Sequence, residues 1–298
     1  MPRALKSMSN TLPNQSHHCN IGSLKSDYII TLMPTLQEHW YKVERITPGG
    51  LVLLGYFPSS TTILNAYPQS LHLTKWIAEQ GWNESQERKS EAGRRGTNVH
   101  GGAELLLKRE VLLRDMYDLE EWVKIWAFTE WFKINKIYSH EVEFPLFNPV
   151  FGYAGKADFV GCINGKFYIV DWKTGGSIYP HYYLQLASYA MALVLMFPKQ
   201  IALEDIHLGI LQLGAKNEKK YKFIDIEPSE WLEYFDTFEN VHHTWEYENN
   251  ITRENLQDKA ISKILMLPGI LSLTFPSDLP VEEKKIRKPR KSKKLIKP

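Results

Sequence analysis

The chain reads as an α/β protein with a mixed central β-sheet flanked by helices and a helical N-terminal region. Three observations predict this. Residues 151–163 and 166–174 are rich in Val, Ile, Phe, Tyr and Trp and pivot on Asn164-Gly165, the pair that suits the two positive-φ positions of a tight hairpin turn. Both strands of that hairpin carry apolar residues on both faces: Val160, Cys162, Phe167 and Ile169 on one, Phe159, Tyr168, Val170 and Trp172 on the other, as in central, covered strands. Helical stretches precede and follow the hairpin, and two further strands, 205–213 and 221–226, lead into a helix at 228–247. Strands interleaved with helices in this way build a layered α/β domain.

Composition bounds the rest. With 298 residues, 43% of them hydrophobic and nine of them Trp, the chain can bury a sizeable core, and a single domain over 27–280 is expected. No run of apolar residues is long enough for a membrane span. The two cysteines lie outside any CxxC context and cannot build a disulfide framework, which points to a reducing intracellular compartment, the cytoplasm. The net charge of +2 conceals an asymmetry: residues 284–298 hold nine Lys or Arg and no acid, residues 1–26 hold three basic residues and no acid, and the body between is about ten charges negative. The polar segment 1–26, with its His17-His18-Cys19 triplet, and the basic segment 281–298 are expected to be disordered. A lysine-rich tail beside an acidic body has nucleic acid as its natural partner, with nuclear targeting and solubility as other uses.

In chain order, residues 43–57 form a hairpin around Pro48-Gly49-Gly50, and Ser59 or Ser60 caps a short helix in the segment PSSTTIL. A helix over 70–80 turns Leu71, Leu73, Trp76 and Ile77 inward, a long helical run spans 84–110, and a helix over 118–133 packs Trp122, Ile125, Trp126 and Phe132. Residues 137–147 form a strand with Glu141 and Glu143 on one face. After the hairpin, Pro180 starts a helix on which Tyr182, Gln185, Tyr189, Ala192 and Met196 make one stripe. Gln185 is the odd member, because a buried amide needs partners.

The hairpin turn also fixes a register. With a two-residue loop, Ile163 faces Lys166 and Asp158 lies opposite Asp171, with Lys156 and Lys173 on the same face. Two carboxylates about 5 Å apart among apolar neighbours repel by roughly 3 kcal/mol at an effective dielectric near 20. A divalent cation between them removes that cost, and oxygen ligands suit Mg²⁺ or Mn²⁺. Without metal, one carboxylate is expected to hold a proton, and removing one charge, at Asp158, is expected to stabilise the fold.

Gly155-x-x-Asp158, then Asp171-x-Lys173, then Gln185-x-x-x-Tyr189 on the next helix resembles the PD-(D/E)xK nucleases, in their RecB-like exonuclease branch. Ala157 stands where the motif name has Pro. The resemblance implies a restriction-endonuclease-like core and a metal-dependent DNA exonuclease of phage type, acting on free ends or single strands in replication, recombination or repair. It makes Asp158, Asp171, Lys173, Gln185 and Tyr189 catalytic. It further implies a metal set of Asp158, Asp171, the Trp172 carbonyl and His100, the last from Gly96-x-x-x-His100, with Glu143 approaching from the preceding strand. Lys156, Arg94 and Arg95 are candidate DNA contacts, although solvated helix charges account equally for the two arginines. PSSTTIL is similar to a segment of the phage and mitochondrial genome-maintenance exonucleases of this branch, in which Ser59 and Thr61 would meet phosphate; simple N-capping is the other reading. Relatives with an iron–sulfur cluster use four cysteines, so with two no cluster is expected. The alternatives are an endonuclease of the same superfamily and a catalytically silent DNA-binding accessory protein.

Overall fold

The computed structural model describes residues 19, 23–35 and 38–265. The segments 1–18 and 281–298, with His17, His18 and the basic tail, lie outside the described residues. The described chain runs β1 (Tyr28–Met33), β2 (Trp40–Thr47), β3 (Gly50–Pro58), α1 (Ser60–Ile63), α2 (Leu71–Gln80), α3 (Trp82–Leu107), α4 (Leu119–Ile134), β4 (Ile137–Asn148), β5 (Tyr153–Ile163), β6 (Lys166–Lys173), α5 (Pro180–Met196), β7 (Ile206–Leu213), β8 (Tyr221–Ile226), α6 (Trp231–Glu248) and α7 (Leu256–Leu265).

The centre is a five-stranded mixed sheet in the order β4-β5-β6-β7-β8. β6 and β7 are parallel and every other pair is antiparallel. The parallel step is made through α5, the kind of crossover that parallel neighbours require. α5 and α6 cover one face, packing on Val160, Cys162, Phe167 and Ile169. α3 and α4 cover the other, with Val99, Ala103, Ile125, Phe128 and Trp131 against Phe159, Tyr168, Val170 and Trp172. The two faces are those read from strand alternation.

Other expectations need correction. The N-terminal region is not simply helical: an antiparallel sheet, β1-β2-β3, opens the described chain. The hairpin at 43–57 is its β2–β3 pair, and β1 was not anticipated although its alternating burial is that of a half-covered strand. α2 buries none of its residues, and Leu71 is 77% exposed, because the helix lies chiefly along α3. On α4, Trp126 is exposed, while Ile125, Phe128 and Trp131 face the sheet. The two cysteines also pair with each other, Cys19 bonding Cys162 of β5, which their wide spacing in sequence gave no reason to expect. Among the described residues no helix is long and apolar enough to cross a membrane.

Candidate metal centre

Asn164 and Gly165 adopt φ of 52° and 88°, as a type I′ turn requires. The ladder then runs Ile163–Lys166 to Phe159–Val170 and stops. The next opposed positions are Asp158 and Asp171, and there the carboxylate takes over the work of the backbone: Trp172 N–H donates to Asp158 Oδ2 at 2.7 Å. On the other side, β4 pairs Val142 with Phe159 and Phe144 with Ala157, so Glu143 stands opposite Asp158. Glu143 has a φ of 55°, a left-handed backbone uncommon for a residue with a side chain and of a kind found at functional sites. Three adjacent strands thus each bring one carboxylate to the same end of the sheet.

Helices supply the other groups. His100 on α3 places Nδ1 3.2 Å from Asp158 Oδ1. Gly96, one turn earlier on the same helical face, lies so close to the end of β6 that a Cβ there would sit 3.3 Å from Thr174 Oγ1. From α5, Gln185 Oε1 accepts from Lys173 Nζ at 3.0 Å, and Gln185 Nε2 donates to Tyr189 Oη at 2.9 Å. The buried amide therefore has its partners. The Tyr189 ring lies against the backbone of Gly155, where any Cβ would overlap it. This explains why the glycine of one motif and the tyrosine of the other belong together. Lys173 Nζ also lies 2.7 Å from Asp171 Oδ2 and 4.2 Å from the centre of the Tyr182 ring.

Asp158 and Asp171 are 8% and 5% exposed, and they titrate differently. Burial pushes Asp158 up, but the charge and hydrogen bond of His100, the Trp172 N–H and Lys173 together carry it below the ordinary carboxylate value. Burial also pushes Asp171 up. Lys173 relieves this only in part and the charge of Asp158 adds to it, leaving Asp171 at about 6. His100 is pulled down by burial and more than restored by Asp158 and Asp171, to about 9. A raised carboxylate was expected, with Asp158 as the charge to remove; burial raises Asp171, while His100 balances Asp158, which favours Asp171 as that charge.

The remaining candidates are placed less centrally. Lys156 shares the carboxylate face and ion-pairs with Glu143. Arg94 lies 3.5 Å from Glu121 and ties α3 to α4, and Arg95 bridges Glu91 of α3 and Glu120 of α4. Ser59 is buried and caps α1, accepting from Thr62 N–H at 2.9 Å, while Thr61 is exposed and bonded to Ser59 Oγ. Sequence reasoning missed the cation–π contact of Tyr182 with Lys173, although Tyr182 was placed on the right stripe, and the backbone conformation of Glu143, for which the sequence carries no signal.

His100, Glu143 and Asp158 present ligand atoms within 4.8 Å of one another. Asp171, on the adjacent strand, lies outside this group of three, and its buried Oδ2 is held by Lys173 Nζ at 2.7 Å. Two carboxylates and an imidazole whose ligand atoms converge in this way are a donor set that fits a divalent cation. No protein-family model matches the chain, and no curated protein matches it.

Proposed function

We propose that the chain is a metal-dependent deoxyribonuclease that hydrolyses phosphodiester bonds from DNA ends, on a RecB-like PD-(D/E)xK plan with a restriction-endonuclease-like core. The observation that carries this reading is the convergence of Asp158, Asp171 and Lys173 at the open end of the β5–β6 hairpin, with Lys173 held by the Gln185–Tyr189 relay. Asp158, Asp171, His100 and the Trp172 carbonyl would hold Mg²⁺ or Mn²⁺, with Glu143 on the β4 side; the imidazole favours Mn²⁺ somewhat. The bound ion supplies an activated water and offsets the charge that develops on the phosphate.

The chain's own residues do the rest. Lys173 donates from Nζ to the attacking water or to a non-bridging phosphate oxygen, placing a positive charge where negative charge grows. Gln185 Oε1 fixes the direction of that amine, and Tyr189, whose phenol burial holds well above its ordinary pKa, fixes Gln185. Asp158 is held by the Trp172 N–H and by His100, independently of Lys173. Lys156 on the same face would meet the DNA backbone, and the charge of the basic segment 284–298 would add to the attraction.

End-labelled single- and double-stranded DNA, incubated beside closed circles with Mg²⁺, Mn²⁺ or EDTA, tests the reading. Loss of the end label, an intact circle and no reaction in EDTA are expected. Linearised circles would make the chain an endonuclease, and binding without cleavage in any metal would make it an accessory protein.

A further inference from the structure

A second group of ligating side chains lies at the opposite end of the sheet. His207, the second residue of β7, pairs in register with Tyr168 of β6. The β7–β8 register pairs Leu208 with Ile226, so Glu227 stands opposite His207, and Asp225, two residues earlier, shares its face. Tyr168 is three residues before Asp171 on β6, which puts this group on the other face and roughly 10 Å along the strand from the carboxylate pair.

His207 is 9% exposed, and its Nδ1 is buried without a hydrogen bond. It points between two carboxylates, 3.4 Å from Asp225 Oδ1 and 3.5 Å from Glu227 Oε2. A protonated imidazole that served only as an ion-pair partner would close on one oxygen at about 2.7–3.2 Å. The observed separations instead match the edge of a tetrahedron with bonds of ~2.0–2.1 Å, which is ~3.4 Å. The outer oxygens are occupied separately: Tyr168 Oη donates to Asp225 Oδ2 at 3.0 Å, and Lys166 Nζ lies 3.3 Å from Glu227 Oε1. Each carboxylate is thus oriented by one oxygen and offers the other toward His207, as supporting partners do for metal ligands.

We propose that His207, Asp225 and Glu227 form a second divalent-metal site, of zinc type, which ties the edge strand β8 to β7 and leaves a fourth position open to solvent. One imidazole and two carboxylates suit Zn²⁺, and the nitrogen ligand disfavours Mg²⁺. The site stands on its own geometry and does not depend on the nuclease reading.

Calorimetric titration of the EDTA-stripped full chain with ZnCl₂ tests it. Asp158→Asn removes a ligand from the first centre, so a zinc-binding step that survives in it reports elsewhere. The expected result is a step present in the wild type and in Asp158→Asn, and lost from Asp158→Asn/His207→Ala. Glu227→Gln, at an exposed position, weakens the same step and serves if the His207 variant does not fold. A step that persists unchanged in the His207→Ala and Glu227→Gln backgrounds overturns the site. So does the absence of any zinc binding by Asp158→Asn, which would leave the three side chains an ion-pair cluster.

Discussion

At neutral pH the two facing carboxylates weigh differently on stability. Asp171 has a folded-state pKa of about 6, above its ordinary value, so the folded state binds the extra proton below that pH. Stability of the metal-free protein therefore falls as pH rises from about 4 to 6, and the penalty is fully present above 6. His100 runs in the same direction at higher pH: its favourable contribution is complete below the ordinary histidine value and is lost as pH rises through about 9. Asp171→Asn is expected to raise the melting temperature in EDTA at pH 7, with a gain of about 1–3 kcal/mol that shrinks to nothing near pH 4. Melting curves of both proteins from pH 4 to 8 check this; a gain independent of pH would contradict it. Asp158→Asn is expected to destabilise instead, because His100 and the Trp172 N–H lose the charge that they share. At Gly155 the constraint is steric. Gly155→Ala drives a methyl into the Tyr189 ring and is expected to cost about 1–3 kcal/mol, with a loss of turnover larger than the loss of substrate affinity. Melting temperatures and a kcat-against-KM comparison measure both.

Elements differ in how openly the sequence declares them, and the difference is physical. The β5–β6 hairpin was legible to the residue because an Asn-Gly turn fixes its own register, and that register alone put Asp158 opposite Asp171. α5 was legible through periodicity, which put Gln185 on the buried stripe, whereas His100 was singled out only by the Gly96-x-x-x-His100 resemblance. β1 was missed because a short, half-exposed strand has little apolar contrast; α7 was missed although Leu256, Ala260 and Ile264 recur one turn apart and pack on the main core, and polar contacts distant in sequence add to its seating. Gln257 of α7 accepts from Tyr56 N–H at 2.7 Å and donates to Tyr56 C=O at 3.1 Å, beside the glycine at 55 where β3 is irregular. No local pattern announces a bond across that many residues. Gln257→Ala leaves both backbone groups of Tyr56 without these partners and is expected to cost about 1–2 kcal/mol, read as a lower melting temperature with cleavage retained. Unchanged melting would mean that water replaces the amide. The pairing of Cys19 with Cys162 was equally unreadable, since two cysteines far apart in sequence carry no spacing signal.

For the molecule as a whole, the charge distribution matters more than the net charge. An acidic body of about ten negative charges would repel a polyanion, and on the proposed function the nine basic residues of 284–298 would supply the attraction. Deleting 284–298 is expected to weaken DNA affinity and flatten its salt dependence, by roughly 0.9 in log–log slope for each phosphate that the segment neutralises, with unchanged cleavage products. Binding titrations over a range of salt concentrations measure it, and an unchanged slope would show that the segment does not touch DNA. α3 from one face of the sheet and α5 from the other each bring a side chain to the end of the β5–β6 hairpin, His100 to Asp158 and Gln185 to Lys173, and there Asp158, Asp171 and Lys173 come together. That this junction performs metal-dependent phosphodiester hydrolysis is the central claim, and Lys173→Ala tests it most directly. Single-turnover cleavage of end-labelled DNA in Mn²⁺ is measured beside equilibrium DNA binding in EDTA, for the wild type and the variant. The account predicts a rate lower by about 10²–10³-fold or more with binding nearly unchanged; cleavage by Lys173→Ala at the wild-type rate would contradict it.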